Sequence, residues 1–369
     1  MILQNGLVYK NGHFESGGDV FIQDGRFSSG SKDKLAIDCT GLYVLPGLID
    51  IHAHGAMGYD ALDGTQEAIE AIASHMLRHG VTAFLPTVMT ASHETMCQAI
   101  DVIRNFPGSD TTADMPGVYM EGPYFSQARA GAQNPQHIRE ISLTEFEDDL
   151  NSGFVKVISI APEKDGSAEF IAKFKDKVSI AAGHTDADFA CMEQAKAQGV
   201  SVLTHTFNGM RSLHHRDPGA VGSALDSQVY CEFICDGLHL APSIIRLLFR
   251  QCPERLVMIS DSIRPAGLPD GDYTSGGLDV TLAGGIARLK SGTIAGSATN
   301  LLDGLKNMVR FGIDLGTAVK TATENPAKAA GIFQDYGSIQ QGKIANAIVL
   351  DKSLELKYVI HRGKRVYSA

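Results

Sequence analysis

Leu45-Pro46-Gly47-Leu48-Ile49-Asp50-Ile51-His52-Ala53-His54-Gly55 carries an apolar run straight into two histidines one residue apart, followed by a glycine. Side chains at i and i+2 of a strand share a face, so both imidazoles can reach one ion, and Gly55 lets the backbone turn away behind them. Two ligands of a divalent metal is the functional reading of this stretch. A hydrogen-bonded histidine pair at a strand end is the other. The choice depends on what the rest of the chain brings alongside.

Outward from this stretch the chain alternates. Val44 to Ile51 reads as a strand, and a helix follows from Thr65 to His79, with Ile69, Ile72, Ala73 and Met76 on one face and Gly80 at its end. A strand at Val81 to Pro86 and a helix from Ser92 to Asn105 come next. Further strands are expected at Met115 to Met120, Val155 to Ile160, Val178 to Ala182, Val200 to Thr204, Val229 to Ile234 and Leu256 to Ile259. Helical patterns fall near Leu143 to Leu150, Ala168 to Phe174, Asp188 to Gln198 and Pro242 to Cys252. Strands alternating with helices in this number predict an α/β chain, a (β/α)8 TIM-like barrel with its chemical groups at the C-terminal strand ends. Residues 275–296 read as an inserted β-hairpin, and helices near Thr299 to Arg310, Leu315 to Thr323 and from Asn325 complete the outer layer. Asn11-Gly12 and Asp24-Gly25 lie between apolar runs, a hairpin signal, and Gly342 to Tyr367 repeats that β-rich character. Residues 1–44 and 334–369 are therefore expected to form a small β-sandwich domain beside a barrel of residues 45–333.

Composition supports a packed core: 44% of the 369 residues are hydrophobic and 20% charged. No stretch resembles an 18-residue apolar span. Met1 to Gly6 has no basic leader followed by an apolar run, so no signal peptide is expected and the cytoplasm is the expected compartment. The six cysteines contain no CxxC pair, which argues for reduced, buried thiols. A net charge of −10 argues against nucleic acid or an anionic membrane as partner. An anionic small molecule can still be held by a local basic pocket.

The residues just past the expected strands are His52 and His54, Glu121, His184, His205 and Asp261. Each alone has an ordinary explanation, a turn cap for Glu121 or a core histidine for His184 or His205. Recurring at one rim, they read together as a metal centre. Imidazole and carboxylate ligands suit zinc, iron(II), manganese or cobalt, and a set drawn from several strand ends can leave one position open to water. Such a centre fits amide hydrolysis, because a bound metal lowers the pKa of its water to roughly 7. Asp261 beside it would take the proton as base and return it to the departing amine as acid. A purely ligating Asp261 is the rival reading. His214 and His215 read as solvated or interface residues, and His13, His75, His79, His93, His137 and His361 as structural or exposed.

The chain resembles the amidohydrolase superfamily along nearly its whole length. The resemblance rests on Pro46 to Gly55, Glu121-Gly122-Pro123-Tyr124, Gly183-His184-Thr185, Thr204 to Met210, Asp236-Gly237-Leu238-His239, Ser260-Asp261 and Gly292 to Ser297. It implies that Glu121, His184 and His205 hold the principal metal and that His52 and His54, sharing Glu121 and Asp261, hold a second. It implies one or two ions per subunit, with zinc expected first, and Asp261 as the catalytic group. Asn208, Gly209, Arg216 and His239 match groups that hold a sugar phosphate, the arginine reaching in from the neighbouring subunit of a homodimer or dimer-based oligomer. Ala132, Ile294, Ala295 and Gly296 match further substrate contacts. The implied reaction removes acetate from N-acetyl-D-glucosamine 6-phosphate. The galactosamine epimer, another N-acyl substrate and a non-catalytic metal-binding barrel remain as alternatives. At one position the chain departs from the family: Gln133 stands where a carbonyl-polarising histidine is usual. Its amide can still donate one N–H to a developing oxyanion, but it brings no charge.

Overall fold

The computed structural model describes residues 1–32 and 35–368; Asp33, Lys34 and Ala369, which fall inside the expected terminal domain, lie outside the described residues. Eight parallel strands form the barrel: β1 Leu48–Ala53, β2 Val81–Met89, β3 Val118–Glu121, β4 Val155–Ile160, β5 Ser179–Ala182, β6 Val200–Leu203, β7 Tyr230–Ile234 and β8 Leu256–Ile259. Each pairs with the next. The β8–β1 seam closes at its C-terminal end, where Asp261 N donates to His52 O at 2.9 Å and His54 N donates to Ser262 O at 2.8 Å. Buried Asp50 bridges the same seam, its Oδ1 accepting from His52 N at 3.2 Å and Ser260 N at 3.3 Å.

Strands covered on both faces read as unbroken apolar runs, and β2 is buried along its whole length. Ile49, Ile51, Leu85, Tyr119, Val202 and Val257 belong to the core inside the barrel, with Ala327, Ala330 and Ile332 packed into it. The first outer helix, Gln66–Arg78, buries Ile69, Ile72, Ala73 and Met76 as its periodicity predicts. Thr65 caps it, accepting from Ala68 N at 3.2 Å. Among the described residues no helix is long and apolar enough to cross a membrane.

Three expectations change. The run Val44 to Ile51 is two strands: Tyr43–Pro46 joins the terminal sheet and Leu48–Ala53 the barrel. Gly47 is the junction because a Cβ there would overlap the Thr82 side chain, while its N–H donates to Asn346 O at 2.9 Å. The inserted hairpin is a four-stranded antiparallel sheet, Gly271–Ser275, Leu278–Ala283, Ile286–Leu289 and Ile294–Ser297. Two Gly-Gly pairs, Gly276-Gly277 and Gly284-Gly285, supply its tight turns at positive φ. A short helix, Gly219–Leu225, also appears where the run Gly-Ala-Val-Gly-Ser-Ala-Leu offers too few large apolar residues to mark a helical face.

The terminal strands are Ile2–Lys10, His13–Gln23, Arg26–Ser28, Ala36–Asp38, Tyr43–Pro46, Ala347–Leu350, Leu356–His361 and Lys364–Ser368. They join one mostly antiparallel sheet around Leu3, Val8, Val20, Ile22, Val349 and Ile360. Buried Asp114, ahead of β3, ties the two units together: it accepts from His361 Nε2 at 2.9 Å, Arg362 Nε at 2.7 Å and Asn346 Nδ2 at 3.1 Å.

Candidate metal and substrate site

Strand ends place the donors. His52 lies within β1 and His54 just beyond it, Glu121 is the last residue of β3, and His184, His205 and Asp261 each stand two residues past β5, β6 and β8. Those last three have positive φ, at 44°, 25° and 50°. Left-handed backbone at a non-glycine residue is strained, and here it turns three side chains inward at once.

Two triads result, Glu121 with His184 and His205, and His52 with His54 and Asp261. Glu121 Oε1 lies 3.1 Å from His184 Nε2 and 3.0 Å from His205 Nε2, and those two nitrogens are 3.2 Å apart. Its Oε2 lies 3.4 Å from His54 Nε2, which is 3.2 Å from Asp261 Oδ1. All six side chains are buried.

The outer nitrogens settle the tautomers. His184 Nδ1 meets Arg129 O at 2.8 Å, His205 Nδ1 meets Asn208 O at 3.1 Å and His54 Nδ1 meets Thr87 O at 3.2 Å. A carbonyl only accepts, so each Nδ1 carries the proton and each Nε2 turns a lone pair inward. His52 Nδ1 is held instead by Glu232 Oε2 at 3.1 Å. Anchored outer nitrogens with converging inner lone pairs are how metal-ligating histidines are held. A plain histidine cluster needs no such arrangement, and the donor set fits one divalent ion or two.

Electrostatics agree. Burial alone would raise the Glu121 carboxyl, but His52, His184 and His205 outweigh it and hold the group well below the usual carboxylate range. Asp261 is lowered in the same way, burial being overcome by His54 and His52. Burial opposes charge on His52 too, yet Glu121 and Glu232 raise it well above an ordinary imidazole. Without an ion these carboxylates favour a proton on His52, and a bound cation would take that proton's place among them.

Above these donors lies a cavity of about 280 Å³. Of the residues expected from the sequence, His54, Glu121, Ala132, Gln133, His184, His205, Asn208, Gly209, His239, Asp261, Ile294, Ala295 and Gly296 line it. His52 sits behind them, fully buried. Gly209 has φ of 61° and lies against both the His184 and His205 rings, where a side chain would crowd them. His239 Nδ1 is bound to Asp236 Oδ2 at 2.6 Å, which leaves Nε2 to meet a ligand. Arg216 is the exception: it is exposed, does not line this cavity, and its Nη1 lies 2.7 Å from His215 Nε2. Gln133 does line the cavity, but one amide N–H goes to Glu121 Oε2 and its Oε1 accepts from Thr90 N at 3.0 Å.

The chain matches the amidohydrolase family over residues 43–366. The chain belongs to the amidohydrolase family. This amidohydrolase is 35% identical to the N-acetylglucosamine-6-phosphate deacetylase of Bacillus subtilis, over 98% of this chain and 94% of the relative. It is also 35% identical to the N-acetylgalactosamine-6-phosphate deacetylase of Escherichia coli, over 86% of each. Its fold superposes on the crystal structure of the Pasteurella multocida N-acetylglucosamine-6-phosphate deacetylase with a TM-score of 0.94 at 27% identity, covering 100% of this chain and 99% of the other.

Several side chains of the amidohydrolase site went unread in the sequence, among them Glu232, Met89, Ile263 and Val280. Glu232, fully buried in β7, holds His52 and also accepts from His205 N at 3.2 Å. A charged residue inside Tyr230-Cys231-Glu232-Phe233-Ile234 was the available signal, since a buried strand tolerates one only with a partner. Met89, at the end of β2, lines the cavity without any chemical signature.

Proposed function

We propose that this amidohydrolase removes the acetyl group from N-acetyl-D-glucosamine 6-phosphate, releasing D-glucosamine 6-phosphate and acetate. The observation that carries the reading is the convergence of His54, His184 and His205 Nε2 with Glu121 and Asp261 on the floor of one cavity, His52 Nε2 lying just behind at 3.5 Å from Glu121. The two deacetylase relatives supply the substrate class.

Glu121, His184 and His205 would hold the principal divalent metal, zinc in our reading, and His52 and His54, sharing Glu121 and Asp261, would hold a second. When bound, the metal supplies a Lewis acid and a water acidified to a pKa of roughly 7. Asp261 is ionised and beside the donors, so it takes the water's proton and later delivers it to the amine nitrogen. Gln133 keeps a second amide N–H, which can meet the substrate carbonyl while the first holds Glu121. Asn208, Gly209 and His239 bind the sugar phosphate. Ala132 and Ile294 to Gly296 close over it and exclude water. Arg216 would complete the phosphate site of the neighbouring subunit in a homodimer or dimer-based oligomer, which accounts for its exposure here. The catalytic barrel is taken as residues 47–333, carried by a small unit from 1–46 and 334–369, because Tyr43–Pro46 pairs within the terminal sheet. All six cysteines are free, which suits the reducing cytoplasm.

Acetate release tests the proposal. It should stop on chelation, return with added divalent metal, and require both the N-acetyl group and the 6-phosphate. Protein that binds metal yet hydrolyses neither hexosamine epimer would sink the reading. The galacto epimer is the second reading, favoured by the equal identity to the Escherichia coli relative. The ratio of kcat/KM for the two epimers decides between them.

A further inference from the structure

Outside the cavity, a second set of metal-type donors joins two helices of the outer layer. His93 and Cys97 lie four residues apart on the helix His93–Arg104 and therefore share a face. Asp149, from the helix Leu143–Asn151, meets them both. Its Oδ1 is 3.3 Å from Cys97 Sγ and 3.3 Å from His93 Nε2, and the three donor atoms all lie within 4.8 Å of one another. Ligand atoms around a tetrahedral zinc, at bonds of about 2.0–2.3 Å, are spaced about 3.3–3.8 Å apart. The Asp149 pairs already have that spacing.

Packing alone does not explain the cluster. The Asp149 side chain is 1% exposed, and His93 Nε2 is buried yet makes no hydrogen bond, its approach to Asp149 being misaligned for one. An imidazole nitrogen left without a bond beside a buried carboxylate is costly, and a cation between them satisfies both. Cys97 and Asp149 also line a cleft of about 300 Å³ shared with Asp101, Asp148 and Arg104, which pairs with Asp101 at 2.8 Å, so the approach is open to solvent.

We propose that His93, Cys97 and Asp149 bind a zinc ion that pins these two helices together, with water from the cleft as fourth ligand. None of the three lines the active-site cavity, so this ion is distinct from any held there. On binding, the Cys97 thiol loses its proton to solvent and the thiolate sulfur donates to the metal; nothing is oxidised or reduced.

Cadmium separates this site from the active site, because a cadmium–thiolate bond absorbs in the ultraviolet and the active-site donors include no cysteine; the difference between wild type and Cys97→Ser removes any signal from the other five free cysteines. Titrating the full chain with cadmium should give a charge-transfer band that saturates at one ion per chain and is displaced by zinc. The band should vanish in Cys97→Ser and weaken in His93→Ala. A wild-type chain without the band, or a band undiminished in Cys97→Ser, overturns the proposal. If Cys97→Ser fails to fold, wild-type protein still decides: zinc should protect Cys97 from iodoacetamide, read by peptide mass spectrometry, and alkylation indifferent to zinc overturns it.

Discussion

Gln133 donates an amide N–H to Glu121, the carboxylate of one donor triad whose Oε2 also lies 3.4 Å from His54 of the other, while its Oε1 is fixed by Thr90 N at 3.0 Å. The glutamine thus braces the donor set as well as lining the cavity. Residues that orient a ligand typically change metal affinity or activity by about 10–100-fold when removed. Gln133→Ala is therefore expected to weaken metal binding by that range, measured by competition with a chelator, and to lower turnover on all N-acyl substrates alike. A variant with unchanged metal affinity and a changed ratio of gluco to galacto turnover would mean that Gln133 only shapes the pocket.

Asp261 is the proton carrier in this scheme, lying 3.2 Å from His54 Nε2 at the floor of the cavity. Asparagine keeps its shape but cannot shuttle a proton. Asp261→Asn should lose on the order of 10²–10⁴-fold in kcat. Metal should still bind, because Glu121, His184 and His205 are untouched. Turnover within about tenfold of wild type would assign the proton transfer to another group.

Glu232 offers a way to separate the two triads. It holds His52 through Nδ1 at 3.1 Å; of the other triad it meets only the His205 backbone N–H, which a glutamine amide oxygen can still accept, and the His184 ring is held by Arg129 O. Glu232→Gln should therefore lower the metal content of the reconstituted protein toward one ion per chain while the Glu121, His184 and His205 set stays filled. Equal loss from both, seen by elemental analysis during reconstitution, would count against two separable positions.

What could be read in the sequence follows from how each feature is encoded. Strand and helix periods mark the barrel because its strands are buried on both faces, and the candidate donors were visible because each lies at or just past a strand end. Gly47 was misread because a junction between two sheets and a residue inside one strand have the same apolar neighbours; only the approach of Thr82 distinguishes them. The hydrogen bonds of Gln133 are equally invisible, since they depend on Thr90 and Glu121 meeting it from two other segments. The same limit applies to His93, which has no rim position and acquires a meaning only beside Asp149.

Arg216 leaves its own chain's cavity unserved. A guanidinium matches two phosphate oxygens in a way an ammonium does not, so Arg216→Lys should raise KM for the 6-phosphate and hardly affect the unphosphorylated sugar. Mixed dimers of Arg216→Ala and Asp261→Asn chains should regain activity, because one of the two sites then has both residues. A fully active isolated monomer would defeat the shared site.

Asp114 makes a stability prediction that does not depend on catalysis. It accepts from His361, Arg362 and Asn346, and loops from the barrel and the terminal sheet meet there. Burial would raise its carboxyl, but the His361 and Arg362 contacts outweigh it and hold the group below its usual value. A depressed carboxyl stabilises the fold fully above its unfolded pKa of about 3.9, and the contribution disappears as pH falls through the lower folded value. Asp114→Asn should cost about 1.5–3 kcal/mol near neutrality, the range for hydrogen bonds to charged groups. In urea melts the difference between wild type and variant should hold steady above about pH 5 and shrink below about pH 4. A difference that stays constant down to about pH 3 would mean that the carboxylate charge contributes nothing to the joint, and that the variant loses only packing.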